Sequence, residues 1–268
     1  MITLSALFAG IRFPAGDVYF CTRRTGLGRL ELPNTSRHRN QELFDRCAPH
    51  YQGVLNRALA PSGEAPHYFA RSRVEWLQRK LCALRFAPLS VLDYGCGTGG
   101  SVPFLKAILH PRRILGVDIS SQSLQWARQQ HREEGVEFSN CDHDFAPAQF
   151  HLAFSNGVFH HIAPAERLSA LRYVYDSLVP GGIFALWENN PYNPATRYIM
   201  GRCEFDQEAI PVTCKQAIKL LRNSGFEVLS RSSCFYFPRW LKWLRGLEPA
   251  LSPLLLGAQY LVLARKPR

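Results

Sequence analysis

From residue 41 onwards the chain repeats one pattern, in which short apolar runs are separated by longer amphipathic stretches. The runs 90–95 and 150–157 have the length of buried strands and end in glycine. In the longer stretches, apolar residues recur every three or four positions, as they do on one face of a helix. The first clear helix of this kind carries Ala70, Val74, Leu77 and Leu81 on its apolar face.

Three more runs, at 112–120, 136–142 and 183–188, have the same strand character. The helix before the last of these runs is predicted to bury a face formed by Leu168, Leu171, Val174 and Leu178. Strands that alternate with helices at this spacing predict a parallel α/β sheet with helices on both faces.

The alternation of strands and helices ends in the last part of the chain. Two strand-like runs, 226–237 and 258–266, are separated only by 238–258, which holds no long crossover helix. Parallel neighbours need such a crossover, so these runs are predicted to form an antiparallel pair that closes the sheet. We interpret 238–258 as a lid-like insertion between the last two strands.

The N-terminal residues 1–40 mix apolar and basic residues without a clear period. We predict a basic arm there, loosely attached or disordered, followed by one catalytic domain over 41–268. The net charge of +11 is concentrated at the two ends. Residues 1–40 hold six Arg and two acids, 231–268 hold seven Lys or Arg and one acid, and the body between them is almost neutral.

Charge and composition also indicate which partners and which cellular compartment to expect for the protein. A protein that binds the phosphate backbone of a nucleic acid is expected to carry basic residues around its active-site mouth. Here the basic residues are concentrated at the two ends of the chain, so we expect no specific nucleic-acid partner. No apolar run reaches the roughly 18 residues of a membrane span, and "MITLSALFAG" lacks the basic head of a secretory signal. We therefore expect a cytoplasmic protein. The eight cysteines are scattered, which predicts reduced thiols and no metal site.

The stretch Val91–Gly100, "VLDYGCGTGG", has two interpretations. Glycines 95, 97 and 100 give the G-x-G-x-x-G of dinucleotide-binding loops, with Asp118 about twenty residues on. The same letters read D-x-G-x-G-x-G with Asp93 before the first glycine. The second version suits S-adenosylmethionine (SAM), which has a ribose and an amino-acid tail but no phosphate.

The order of motifs decides between the two cofactors. "VLDYGCGTGG", "GVDIS", "NCD", "SNGVFHHI" and "LVPGG" follow one another along the chain. In this order and spacing the chain resembles the class I SAM-dependent methyltransferases over about residues 41–268. The resemblance implies a Rossmann-like, mostly parallel sheet of seven strands with an antiparallel C-terminal pair, and SAM rather than NAD as cofactor.

The same resemblance assigns cofactor roles. Asp93 would lie near the ammonium group of SAM, Asp118 would bind the ribose hydroxyls, and Asp142 would lie near the adenine amine. The full implied set is Asp93, Gly95, Cys96, Gly97, Gly99, Asp118, Ile119, Asp142, Ser155 and Asn156. The glycines let the main chain approach the methionine portion without Cβ clashes. The alternatives are a loop-fixing cap for Asp93, a helix N-cap for Asp118, and Asp144 in place of Asp142.

The pair His160 and His161 stands where members of this family often carry a catalytic or acceptor-orienting histidine. An acceptor that bears a proton needs a base, which is worth roughly 10²–10⁴-fold in rate. Because adjacent side chains usually diverge, we expect one of the two to face the acceptor. We favour His160 and expect His161 to point back into the fold. The alternative is a structural turn made by both.

Two later stretches are candidates for acceptor binding. "WENNPYNPATRY" follows the fifth strand, where α/β ligands bind, and offers Glu188, Asn189, Asn190, Tyr192 and Arg197. The alternative for it is a turn held by Asn caps. The other stretch interleaves Trp and Leu with Arg and Lys over residues 237–245. It is consistent with an amphipathic lid, with a helix that makes peripheral membrane contact, or with ordinary packing at the sheet edge.

From this resemblance we expect the protein to move a methyl group from SAM to an oxygen or nitrogen of a small or lipid-like acceptor. Two alternatives stay open. An RNA methyltransferase would use the basic termini to bind RNA. A SAM-binding protein would keep the cofactor motifs without transferase activity.

Overall fold

The computed structural model describes residues 36–141 and 147–268 of the chain. Its strands all belong to one sheet. They are β1 (Ser90–Tyr94), β2 (Arg113–Asp118), β3 (Val136–Asn140), β4 (Phe150–Asn156), β5 (Leu178–Asn189), β6 (Glu227–Cys234) and β7 (Gln259–Arg265). The predicted strands are confirmed, with β5 longer than expected because the "LVPGG" stretch also pairs.

The strand order across the sheet is β3-β2-β1-β4-β5-β7-β6. The first five strands in this order run parallel to one another. Strand β7 lies between β5 and β6 and is antiparallel to both. The predicted fold class is confirmed, and the C-terminal ends of β1, β2, β4 and β5 meet at one edge of the sheet.

Helices surround this sheet, and several of them precede β1. The α-helices are α1 (Ser36–Cys47), α2 (Tyr51–Leu59), α3 (Pro66–Ala83), α4 (Val102–Leu109), α5 (Ser121–Gln130), α6 (Arg167–Ser177), α7 (Pro194–Gly201), α8 (Cys214–Asn223) and α9 (Glu248–Leu251). Short 3-10 segments include Glu204–Asp206 and Arg239–Leu247. None of the helices described here is long and apolar enough to cross a membrane.

The sheet is apolar on both faces because helices cover both. Leu92 of β1 packs in a cluster with residues of α6 and α8, whereas its neighbour Val91 packs in a second cluster with residues of α3 and α4. The successive side chains of a strand point to opposite faces, which explains why the strands are continuous apolar runs. The predicted core face of α3 is confirmed, since Ala70, Val74, Leu77 and Leu81 are all buried.

The structure differs from the expectations at two places. Leu168 is 46% exposed rather than buried, and Leu178 begins β5 instead of continuing the helix. Helix α1 runs from Ser36 to Cys47 and so includes the last residues of the segment predicted to be an arm. The Asp45 Oδ1 atom of α1 accepts hydrogen bonds from Ser120 Oγ (2.7 Å) and Gln122 N (3.0 Å), which tie α1 to the start of α5. Most of the predicted arm lies outside the described residues.

Candidate active site

A large cavity of about 1130 Å³ opens at the C-terminal edge of the sheet. One side of it is formed by the glycine loop after β1 and by the end of β2. The other side is formed by α2, α3 and the segment after β6, and it includes Tyr51, Tyr68, Phe69, Arg73, Tyr236 and Trp240. The cavity is large enough for a nucleoside-sized ligand together with a second molecule, since pockets for drug-sized ligands span roughly 300–1,000 Å³.

The glycine loop is held open by its backbone geometry. Gly95 has a φ of +73° and Gly97 a φ of +54°, in the region that L side chains rarely adopt. A Cβ atom at Gly95 would overlap the side chain of Val158, whereas one at Gly97 would meet nothing within 4 Å. The Gly95 and Cys96 amides donate to Val117 O at 2.8 and 3.0 Å, so the loop is anchored on β2.

Asp93 is a buried carboxyl group with an unused acceptor. It is only 2% exposed, and its Oδ2 atom has no hydrogen-bond partner within the described part of the chain. Burial, together with the nearby charge of Asp118, raises the pKa of Asp93 to about 7. Asp93 lines the cavity. Because an orphaned carboxylate of this kind is stabilised by a cation, it fits the ammonium group of a bound SAM.

Asp118 holds two backbone amides beside the cavity. Its Oδ2 atom accepts a hydrogen bond from Gly97 N at 2.8 Å, and its Oδ1 atom accepts one from Ser120 N at 2.9 Å. The cap of α5 itself is Ser120, whose Oγ accepts from Ser123 N. Asp118 therefore joins the glycine loop to the start of α5, at the edge of the cavity where the resemblance expects a ribose.

The other predicted cofactor residues divide into three groups. Cys96, Ile119 and Asn156 line the cavity, and the Oδ1 atom of Asn156 is buried without a hydrogen-bond partner among the described residues. Ser155 is fully buried, and neither Ser155 nor Gly99 forms part of the cavity wall. Asp142 lies outside the described residues, as does its alternative Asp144.

The histidine pair differs from the expectation. His160, the favoured base, is 3% exposed, and both of its ring nitrogens face carboxylates: Nδ1 lies 2.6 Å from Glu188 Oε2, and Nε2 lies 3.3 Å from Asp206 Oδ1. Burial alone would lower the pKa of His160, but Glu188 and Asp206 raise it to about 10. A ring that is protonated at neutral pH and enclosed by two carboxylates is not a free base.

His161 is the more accessible of the two rings. Its Nε2 atom lies 3.3 Å from the same Asp206 oxygen, and its ring packs edge-on against Phe44. Burial and the charge of His160 lower the pKa of His161, so it is neutral at neutral pH. Both rings line the cavity, so His161 does not point away from it as expected, and His160 is the ring enclosed by carboxylates.

Asp206 is a site residue that no sequence motif indicates. It lies in the 3-10 segment Glu204–Asp206, outside every motif. Burial alone would raise its pKa, but hydrogen bonds with His160 and His161 hold it below its usual range. The facing atoms of Asp206, His160 and His161 lie within 4.8 Å of one another, close enough to hold a cation. Because the protonated His160 already places a positive charge between Glu188 and Asp206, we interpret this corner as an ion-pair network.

The stretch after β5 is mostly structural. Glu188 Oε1 accepts hydrogen bonds from Val158 N and Phe159 N, so this fully buried carboxylate fixes the turn after β4. Asn190 Nδ2 donates to Leu255 O and Gly257 O, which holds the return to β7. Of the five residues predicted there for acceptor binding, Asn189 lines the cavity, whereas Glu188, Asn190, Tyr192 and Arg197 do not.

Comparisons with known proteins agree with this geometry. Residues 91–182 match a family model described as a methyltransferase domain. Trans-aconitate 2-methyltransferase of Rhodopseudomonas palustris (strain BisA53) is 24% identical over 196 residues, which cover 66% of this chain and 76% of that protein. Phthiotriol/phenolphthiotriol dimycocerosates methyltransferase of Mycobacterium tuberculosis (strain ATCC 25177 / H37Ra) is 25% identical over 126 residues, 46% of each chain.

Solved structures share the fold. A SAM-dependent methyltransferase from Thermotoga maritima aligns with a TM-score of 0.59 and 18% identity over 85% of this chain and 99% of that one. The [4+2]-cyclase SpnF aligns equally well, over 87% of this chain and 96% of its own. The fold and the domain define a class I methyltransferase architecture. The methyltransferase domain over residues 91–182 and the similarity to named methyltransferases indicate a SAM-dependent methyltransferase with SAM as its cofactor.

Proposed function

We propose that this enzyme transfers the methyl group of SAM to an oxygen or nitrogen of a small or lipid-like acceptor. The observation that carries the proposal is that one cavity contains both the glycine loop with Asp93 and the corner formed by His161 and Asp206. When bound, SAM supplies an activated methyl group, since its leaving group is a neutral thioether. The protein's own task is to orient the acceptor and to exclude water.

His161, with Asp206 behind it, is the base that this geometry favours. If Asp206 accepts the Nε2 proton of His161, the ring keeps its lone pair on Nδ1, which makes no hydrogen bond within the described residues. The Asp206 carboxylate also stabilises the imidazolium that forms when Nδ1 takes the acceptor's proton. This arrangement of a neutral, oriented imidazole is the usual requirement for general-base catalysis.

The walls of the cavity favour an acceptor with an apolar body. Tyr68 and Phe69 of α3 form edge-to-face ring contacts with each other and with Phe235. Tyr51 stacks on Phe205 with ring centroids 5.1 Å apart. The relatives named above act, by their names, on a small acid and on dimycocerosate lipids. Both are within the acceptor class proposed here.

A peripheral membrane contact would give such an acceptor a route to the cavity. Trp240 and Trp243 are 72% and 74% exposed, and the 3-10 segment Arg239–Leu247 that carries them has no buried residue. Trp240 also lines the cavity. The next residue, Glu248 at the start of α9, is buried and accepts hydrogen bonds from the amides of residues 235–237. Exposed Trp beside Arg and Lys is typical of surfaces that lie on anionic membranes.

Methyl transfer from labelled SAM to a cell extract tests the proposal. The extract is divided into water-soluble metabolites, lipids and RNA, and each fraction is incubated with the protein. We expect label in a metabolite or lipid. Label in RNA alone would favour the RNA methyltransferase alternative. Tight SAM binding without label in any fraction would favour a SAM-binding protein that lacks transferase activity.

A further inference from the structure

Arg73, in the first half of α3, is a cation in the cavity wall without an acidic partner among the described residues. Its Nε atom donates to the neutral Gln259 Oε1 at 2.8 Å, and its other N–H groups have no acceptor there. Arg245, in the same wall, instead pairs with Glu64 at 2.9 Å. Burial lowers the pKa of Arg73 to about 10, so the group stays charged at neutral pH. A desolvated charge without a counter-ion is unfavourable, and an anionic ligand would relieve the cost.

The guanidinium is held at one fixed place. Gln259, its partner, begins β7 and lies opposite Asn189 at the end of β5. The Gln259 Nε2 atom donates to Asn189 Oδ1 at 2.9 Å, so the amide that receives Arg73 is itself oriented. Arg73, Gln259 and Asn189 all line the cavity. The cation therefore lies in the cavity wall beside the end of β5 and the start of β7.

This place lies away from the amino-acid tail of the cofactor. Asp93, where the ammonium group of SAM fits, is on β1, and β7 is three strands away in the sheet. At about 4.8 Å per strand the separation is roughly 14 Å. The raised pKa of Asp93 agrees, since a guanidinium close by would lower it. The carboxylate of SAM is attached to the same carbon as its ammonium group and would lie near Asp93 too.

We propose that Arg73 binds an anionic oxygen group, a carboxylate or phosphate, of the methyl acceptor. This inference rests on the proposed function and narrows its substrate class. The planar guanidinium can bind such a group through two parallel hydrogen bonds. The Tyr51 phenol is close enough to both Arg73 and Asp206 for their charges to act on its pKa, and it lines the same cavity. An acceptor held at Arg73 would direct its other end toward His161.

A binding experiment separates the two sources of an anionic group. Arg73→Met removes the charge and Arg73→Lys keeps it, while Arg71→Met removes an exposed arginine that pairs with Glu75 on the same helix. Calorimetry measures S-adenosylhomocysteine, which has the carboxylate, and methylthioadenosine, which lacks it. We expect less than a twofold change for both ligands in every variant. A loss of S-adenosylhomocysteine affinity in Arg73→Met, with methylthioadenosine unaffected, would assign Arg73 to the cofactor and overturn the proposal.

A transfer experiment tests the acceptor itself. Extract is separated by anion exchange into anionic and uncharged pools before incubation with the protein and labelled SAM. We expect label in an anionic acceptor. The KM for this acceptor should rise about 10- to 100-fold in Arg73→Met. The rise should be smaller in Arg73→Lys, which keeps the charge, and absent in Arg71→Met. Label from the uncharged pool, at equal rates in the wild type and Arg73→Met, would overturn the anionic class alone. No label from either pool would refute methyl transfer and this inference with it.

Discussion

His160 Nδ1 lies 2.6 Å from Glu188 Oε2, and both side chains are buried. The pair joins the turn after β4 to the end of β5. Glu188 also holds the amides of Val158 and Phe159 through its other oxygen. One carboxylate thus fixes the segment that carries both histidines, which explains why this corner of the cavity has a defined shape.

Glu188→Ala should lower the free energy of unfolding by about 3–5 kcal/mol, because it leaves a buried charge and two backbone donors without their partner. Urea denaturation measures the change. The matched control is Glu137→Ala, which removes an exposed partner of Arg113 and should cost at most about 1 kcal/mol. Equal effects of the two substitutions would show that Glu188 is not an anchor.

The stability of the protein should fall as the pH rises through the alkaline range. The pKa of His160 is about 10 in the native state and about 6.5 in an unfolded chain. The native state therefore keeps a proton that the unfolded state has lost, and the contribution, complete below pH 6.5, disappears as the pH approaches 10. The slope from this group is at most about 1.4 kcal/mol per pH unit.

Urea midpoints at pH 6.5 and 9.5 measure this dependence, and His160→Gln should flatten it. The ring signals of His160 in a nuclear magnetic resonance titration give a direct control. They should remain those of an imidazolium at pH 8. A ring that titrates near 6.5 in the folded protein would contradict the ion-pair network.

SAM binding should release protons near neutral pH. The unliganded Asp93 has a pKa of about 7, and the ammonium group of a bound SAM favours its ionised form. Calorimetry in buffers with different ionisation enthalpies measures the release, which should be largest below pH 7 and absent above pH 8. Asp93→Asn should abolish the release and weaken SAM by about 1.5–3 kcal/mol. Proton release that persists in Asp93→Asn would assign it to another group.

His161→Ala should lower kcat by roughly 10²–10⁴-fold, since it removes the proposed base. Its SAM affinity should stay within twofold of the wild type, because the glycine loop and Asp93 are untouched. As the pKa of His161 is lowered, the acid limb of the wild-type kcat profile should lie below pH 6.5. A variant with normal turnover would mean that the acceptor needs no protein base, and catalysis would rest on positioning.

Replacement of Trp240 and Trp243 by Ser should weaken binding to vesicles of equimolar phosphatidylcholine and phosphatidylglycerol at least tenfold. The reason is the loss of two exposed aromatic side chains that would enter the interface. Vesicle sedimentation measures the change, and Trp126→Ser on α5 is the control. Wild-type protein that stays in the supernatant would show that these residues do not bind a membrane.

The sequence by itself determined the sheet and the cofactor loop. Strand and helix periods are local properties, and they located β1 to β7 and the antiparallel closure at β7. The backbone of the glycine loop is equally local, because positive φ angles at Gly95, Gly97 and Gly99 require that residue type. The motif order along the chain then distinguished SAM from NAD. The strands, the helices and the loop backbone depend on near neighbours in the sequence, whereas the preference for SAM came from the resemblance to a known family.

The tertiary structure decided which polar groups meet. Asp206 lies 46 positions from His160 in the sequence, and Gln259 lies 186 positions from Arg73, so no local sequence pattern predicts either contact. Glu188, expected to touch the acceptor, instead anchors a turn 28 positions away, and both ring nitrogens of His160 face carboxylates. The register of β5 with β4 and β7 places Glu188 in the core, at the end of the sheet that faces the cavity. Burial and charge partners, which set the pKa values, follow from that placement and from nothing in the local sequence.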